Sequence, residues 1–414
     1  MGSRSVRTVP YHSDSMCNSR PLPDEWLLLT YVAIVSFLRL GFGLPAADFL
    51  FVITAIVHLA LIVFGTRAMR WSRFHLLAGA YLGAMLVSAL LSEAPRQSLV
   101  KWIGECYLIA IAVIAFNIMT SEASIARATL AWLGGAAVNV AFGLAATIAF
   151  YAGVPALAKT LGAWGFGSLP VGHYARVYGL FQYPNMACTF YIITVVLAWM
   201  AADRGWVRRR IAIALGVATS IAAVLTLSPG LGALVLAPCI GLWIDRRARL
   251  LFAAGIVVAI LSFLSTLPEP AAPHKPSSRI LVWRDAVQNI PVHPFFGRGI
   301  GLGAVQVSYT SPNGHVHTLT DAHNTILNLA AEGGLITAAA FVALVIYLLR
   351  GIRWSQRPAM FLGVAFICGF LYQDLTGSFE DTRHEWVLIG MLLSACALGD
   401  LPQTRQVVRE GQHE

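Results

Sequence analysis

Histidine and arginine residues flanking long apolar blocks carry the chemistry that this sequence offers. His323 and Asn324 close the stretch from Gly314 to Asn324 and run straight into an apolar block. Their spacing predicts Thr320 or Asp321 as an N-cap, which places both in the first helical turn. The helix dipole there disfavours imidazolium unless Asp321 offsets it, and a neutral imidazole can take a proton from a hydroxyl. The plain alternative is a histidine that caps the helix or sits in an interface. His315 and His317 form an HxH pair with no acidic or cysteine partner at ligand spacing, so we expect no metal.

Arginines supply the opposite chemistry. Pro276 to Pro291 predicts a short helix with Ser277 or Ser278 as cap and Pro291 as stop. At 100° per residue, Ile280, Trp283, Ala286, Val287 and Ile290 share a face, while Arg284, Asp285 and Gln288 point elsewhere. Arg279 falls in the first turn, where the dipole disfavours a cation. An anion held by its guanidinium would motivate that placement; a snorkelling surface arginine is the alternative. Arg298 lies within the glycine-rich run Pro294 to Gly303, which follows no strand of a βαβ unit. We therefore read a close-packed loop and reject a nucleotide fingerprint. Arg176 and Asn185 sit in the stretch from His173 to Met186, just before another apolar block. Together these cations and one base suit a pyrophosphate leaving group and a hydroxyl nucleophile.

The elements that must position them are membrane-spanning helices. Of 414 residues, 57% are hydrophobic and 12% charged, with a mean hydropathy of +0.69, which excludes an ordinary soluble fold. The apolar residues form blocks of about 17 to 24, near the ~20 a helix needs to cross the hydrocarbon layer. No barrel-like alternation is present. We place spans at roughly 26 to 44, 47 to 64, 74 to 92, 100 to 118, 128 to 151, 186 to 202, 211 to 227, 230 to 244, 250 to 267, 325 to 349, 358 to 375 and 384 to 400. The expected fold class is all-α, a polytopic integral membrane protein of about twelve transmembrane helices. Short arginine-rich loops at 67–73, 204–210, 246–249 and 350–357 fall on one side of this layout, which the positive-inside rule makes cytoplasmic.

The expected organisation is a cytoplasmic tail over 1–25, one transmembrane domain over 26–400 and a cytoplasmic tail over 401–414. Two long loops, about 152–185 and 268–324, then face outward; the second contains short helices. Many tryptophans, including Trp26, Trp71, Trp102, Trp199, Trp243, Trp354 and Trp386, lie at span ends, where interfacial rings belong. Five of the six cysteines lie in apolar blocks and read as small hydrophobes. The charge of +9 needs no nucleic acid to explain it.

In this order and spacing, the motifs resemble the O-antigen ligase and polymerase superfamily of bacterial lipid-linked glycan transferases. The resemblance rests on Arg176 with Gly179-Leu-Phe-Gln-Tyr-Pro-Asn185, on Arg279 with Trp283, on Pro294 with the run Gly297 to Gly303, and on His323-Asn324 followed by Glu332-Gly-Gly334. It implies a metal-independent, inverting glycosyltransferase of the inner membrane, with its site facing the periplasm and no cofactor. The implied donor is an undecaprenyl-pyrophosphate-linked glycan, and the implied acceptor the lipid A core or a growing glycan. His323 then resembles the general base and Arg279 a pyrophosphate ligand, with Arg176, Arg284, Asn185, Asn324 and Arg298 as substrate-binding residues. One departure stands out: members often carry Ser-Arg-Gly at the outer end of the seventh span, where this chain has Ser228-Pro229-Gly230. Arg176 and Arg284 are the alternative sources of that charge. The same motifs fit an O-antigen or exopolysaccharide polymerase. From another class, a transporter is the rival, with His58 as its best intramembrane candidate.

Overall fold

The computed structural model describes residues 21–37, 46–166, 174–228, 278–310, 316–376, 379 and 382–399. The expected spans at 230 to 244 and 250 to 267 lie outside the described residues, as do most of the first 25 residues and all of 401–414. Helices occupy the other expected spans: α1 (Pro23–Ile34), α2 (Ala46–Val63), α3 (Arg73–Leu90), α4 (Pro95–Ile118), α5 (Glu122–Tyr151), then α7 (Pro184–Asp203) and α8 (Arg209–Leu225). Between α5 and α7 lie a short α6 (Pro155–Leu161) and the strands β1 (Ala163–Phe166) and β2 (Tyr174–Val177). Among the described residues, six helices are long and apolar enough to cross a membrane, as befits a helical membrane protein. Proline at the first turn starts α1, α4, α6 and α7, where its missing N–H costs nothing. Ser121 caps α5 by accepting from Ser124 N.

The remaining elements are α9 (Ser278–Asn289) with a 3-10 turn at Ile290–Val292, β3 (Val307–Thr310), β4 (Val316–Leu319), α10 (Thr325–Glu332), α11 (Gly334–Gly351), α12 (Arg357–Thr376) and α13 (Arg383–Leu398). Both strand pairs are antiparallel hairpins, a small departure from the all-α expectation. The expected span from 325 to 349 is two helices rather than one. Gly334 adopts φ +80° at the junction, and a Cβ there would lie 2.2 Å from the Phe295 carbonyl oxygen. The break admits the glycine-rich run: Gly299 N donates to Glu332 O at 2.9 Å, and Gly301 N donates to Glu332 Oε2 at 2.6 Å. Backbone lies directly on backbone at Gly297 and Gly334, where a Cβ would meet Glu332 O and Phe295 O.

Helix α9 appears where the proline and serine signals place it, with its buried stripe turned toward Val282 and away from Ile280 and Val287. Val282 and Ala286 are fully buried, Asn289 bonds Ala304 O and Asp285 accepts from Gln306 N. Ile280 and Val287 of the expected apolar face are 45% and 54% exposed, while Ala286 of that face is buried. The polar anchors Asp285 and Asn289 turn the helix, and Trp283 follows by donating to Ala322 O at 2.9 Å. Trp386, expected at an interface, is fully buried as well.

Polar contacts sort the helix ends into two sets. At one end Asp24 bonds Arg67 at 3.0 Å and His58 at 2.8 Å, Glu25 pairs with Arg127, Glu122 with Arg204 and Asp203 with Arg357. At the other, Asp48 holds Arg383 and Glu93 holds Arg298. The arginine-rich short loops among the described residues all meet the first end. That is the alternation of an up-and-down bundle, in which successive helix ends swap sides. Asp24 and Glu25 belong to α1 and are buried, so the bundle starts before residue 26. His58 serves that anchor as a packed hydrogen-bond partner of Asp24.

Candidate functional site

A cavity of about 790 Å³ opens at the second end. One wall is a single face of α4, presenting Val100, Lys101, Gly104, Glu105 and Leu108 at helical spacing. Opposite stand Arg176 and Trp164 from the first hairpin, and Tyr183 and Asn185 from the start of α7. Asp321 and His323 enter ahead of α10, Gln373 from α12 and Arg383 from the first residue of α13. Segments more than 200 residues apart in sequence thus meet around one space.

His323 is held by local chemistry. Asn324, rather than Thr320 or Asp321, is the N-cap, its side chain accepting from Leu327 N at 2.9 Å. His323 therefore precedes the helix, with φ +51°, a left-handed conformation that costs a non-glycine residue energy. Asp321 offsets that cost. Its Oδ1 accepts from His323 N at 2.6 Å, an Asx-turn, and from Asn328 Nδ2 at 2.6 Å. The other carboxylate oxygen stands 3.6 Å from His323 Nδ1. The imidazole is about 38% exposed and lines the cavity.

Arg176 is aimed by β2 and α8. Its Nε donates to Thr226 O at 3.0 Å and its Nη2 to Asn185 Oδ1 at 3.4 Å. Ser228 Oγ donates to the same Asn185 oxygen at 2.9 Å, so the stretch beginning at Ser228 starts beside Arg176. Lys101 lies 3.2 Å from buried Glu105. Arg383 makes a bidentate pair with Asp48, at 2.5 and 2.7 Å, while Tyr107 donates to the same carboxylate at 2.6 Å. Among the described residues, the cavity is thus bordered by three paired cations and one histidine.

No protein-family model matches the sequence. Over 150 residues the chain is 29% identical to an O-antigen ligase from Pseudomonas aeruginosa. That match spans 35% of this chain and 35% of the relative.

Of the residues predicted from sequence, the cavity collects Arg176, Asn185 and His323. Asn324 stands next to it as the cap, with Nδ2 3.5 Å from Asp374. Arg279 occupies the first turn of α9, as expected, but its side chain lies outside the described residues, as do His315 and the side chain of His317. Arg284 is exposed and is absent from the lining. Arg298 bridges to Glu93 at 3.2 Å, pinning the glycine-rich run to the turn between α3 and α4, also away from the cavity. Lys101, Arg383 and the aromatic side chains of the lining are additions that the motifs did not single out, whereas Asp321 was read only as a cap or counter-charge for His323. Lys101 and Glu105 carry the one readable signal, an i, i+4 ion pair near a span end.

Proposed function

We propose that this chain is a glycosyltransferase moving an undecaprenyl-pyrophosphate-linked O-antigen glycan to the lipid A core at the periplasmic face of a bacterial inner membrane. The observation that carries this reading is the meeting of His323 with Arg176 and Asn185 in one cavity at the end of the bundle opposite the arginine-rich loops. With those loops cytoplasmic, both described termini of the bundle are cytoplasmic and the cavity faces outward. The likeness to an O-antigen ligase over a third of the chain supports the same chemistry.

The proposed reaction needs one base and an anion site. His323 takes the proton as an acceptor hydroxyl oxygen attacks the anomeric carbon. The carbon–oxygen bond to the pyrophosphate breaks, the leaving group keeps the electron pair and the configuration inverts. Asp321, placed at Nδ1, stabilises the imidazolium and leaves Nε2 for the hydroxyl. Arg279 and Arg176 neutralise charge growing on the pyrophosphate, with Arg284 and Arg298 as outer contacts along the donor's approach and Asn185 and Asn324 as polar positioners. No metal or cofactor takes part.

The test is reconstitution with a lipid-linked glycan and, separately, a lipid A core acceptor. Transfer by the wild type and none by His323→Ala at equal protein level is the expected result. Growth of the glycan on its own carrier, without transfer to the core, would replace the ligase with the polymerase. Normal transfer by His323→Ala removes the base.

A further inference from the structure

We propose that Trp164 and Arg176 form a two-part subsite for the sugar-1-pyrophosphate junction of the donor, the indole ring stacking on the first sugar and the guanidinium holding the adjacent phosphate. This rests on the donor chemistry proposed above and adds to it the residue that reads the sugar. The geometry comes from the register of the first hairpin. Trp164 pairs directly with Arg176 across β1 and β2, and directly opposed residues share one face of a sheet, with Cβ atoms roughly 4.5–5.5 Å apart. The alternate positions, Ala163, Ala175 and Val177, are buried, Ala163 and Val177 against Ala146 of α5. The other face therefore turns Trp164 and Arg176 together toward the cavity that both line.

The indole is braced but open. Its ring centroid lies 4.7 Å from that of Tyr178 at an interplanar angle of 36°. Tyr178 is itself 3% exposed, and its hydroxyl donates to Lys159 O at 3.1 Å. Trp164 nevertheless remains 36% exposed. The hairpin is closed by Gly162, whose carbonyl accepts from Tyr178 N and Gly179 N at 2.8 and 3.0 Å. A Cβ on Gly162 would lie 2.0 Å from Gly179 O, so this close approach of the two segments requires glycine there. A rigid aromatic plane beside a guanidinium is complementary to an apolar pyranose face joined to a phosphate. Tyr183, 61% exposed on the same cavity rim, extends the aromatic surface toward the next sugar.

Binding of two kinds of short-chain lipid to the purified full-length protein tests this. The probes are farnesyl pyrophosphate and the same lipid carrying a hexose or an N-acetylhexosamine on its terminal phosphate. We expect the wild type to bind its best sugar-bearing lipid about tenfold more tightly than farnesyl pyrophosphate. Trp164→Ala should erase that increment and keep the affinity for farnesyl pyrophosphate, while Trp164→Phe should retain most of it. The subsite is overturned if the wild type shows no increment for any sugar, or if the increment survives Trp164→Ala. Equal weakening of both lipids by Trp164→Ala and Trp164→Phe also overturns it, since the indole would then be only a brace or an anchor in the headgroup layer. Failure of the wild type to bind either lipid removes the donor reading itself, a result distinct from all of these.

Discussion

The contact between Asp321 and His323 allows the charge of the carboxylate to be separated from its role in the turn. Asp321→Asn keeps an oxygen able to accept from His323 N, so the Asx-turn survives and only the charge near Nδ1 is lost. Two unit charges 3.6 Å apart interact by about 1 kcal/mol at the dielectric of water and by about 4–5 kcal/mol at an effective dielectric of 20. Asp321 and His323 are 41% and 38% exposed, which puts the value near the aqueous limit, at about 1–2 kcal/mol of lost imidazolium stabilisation. In rate terms that is a fall of roughly 5- to 30-fold in kcat. Asp321→Ala removes the turn as well, leaving φ +51° at His323 without its hydrogen bond, and should cost about a further 1–3 kcal/mol through misplacement of the ring. The assay is single-turnover transfer from a saturating lipid-linked glycan in proteoliposomes, with thermal unfolding as the control for folding. Equal rates for wild type, Asp321→Asn and Asp321→Ala would refute both the orienting role and the assignment of His323 as the base it serves.

Four further outcomes follow from the same geometry. Gly104→Leu should fold at least as well as the wild type, since a Cβ there meets nothing within 4 Å and leucine favours helix; by filling the cavity it should still lower transfer by more than about tenfold. Gly334→Ala should lower stability by at least about 2 kcal/mol in thermal unfolding, because its positive φ and the Phe295 carbonyl leave no room for a methyl group. Arg279→Lys should reduce kcat on the order of 10²-fold, because an ammonium cannot make a bidentate contact with phosphate oxygens; unchanged rates would make Arg279 a surface charge. Transfer should persist in EDTA, and a loss restored by a divalent cation would revive a metal role for the outer histidines.

The helices were legible because bilayer thickness sets the length of an apolar block, and their ends because proline and serine mark first turns. The two-ended sorting of charges was legible in the arginine-rich loops. What escaped was local competition for the same polar group. Asp321 satisfies the N-cap pattern, but its carboxylate is taken by His323 N and Asn328, so the cap passes to Asn324 and His323 moves out of the helix. Likewise the face of α9 is chosen by Asp285 and Asn289, which reach loop backbone that no periodicity reveals. The break at Gly334 depends on a segment some 40 residues earlier, Phe295, pressing against it. Arg176, Asn185 and His323 were found because they sit in motifs at segment ends. Lys101 and Arg383 were passed over because, in a linear reading, they resemble the ordinary charges that flank a span.

The clamp between Asp48 and Arg383 ties the first turn of α2 to the first turn of α13, 335 residues later. During synthesis the carboxylate of α2 must wait through the insertion of every intervening helix before its guanidinium emerges. Until then the carboxylate has the Tyr107 hydroxyl of α4 as a donor but lacks the Arg383 guanidinium. Arg383 also lines the cavity, so completion of that wall and neutralisation of the Asp48 charge are one late event.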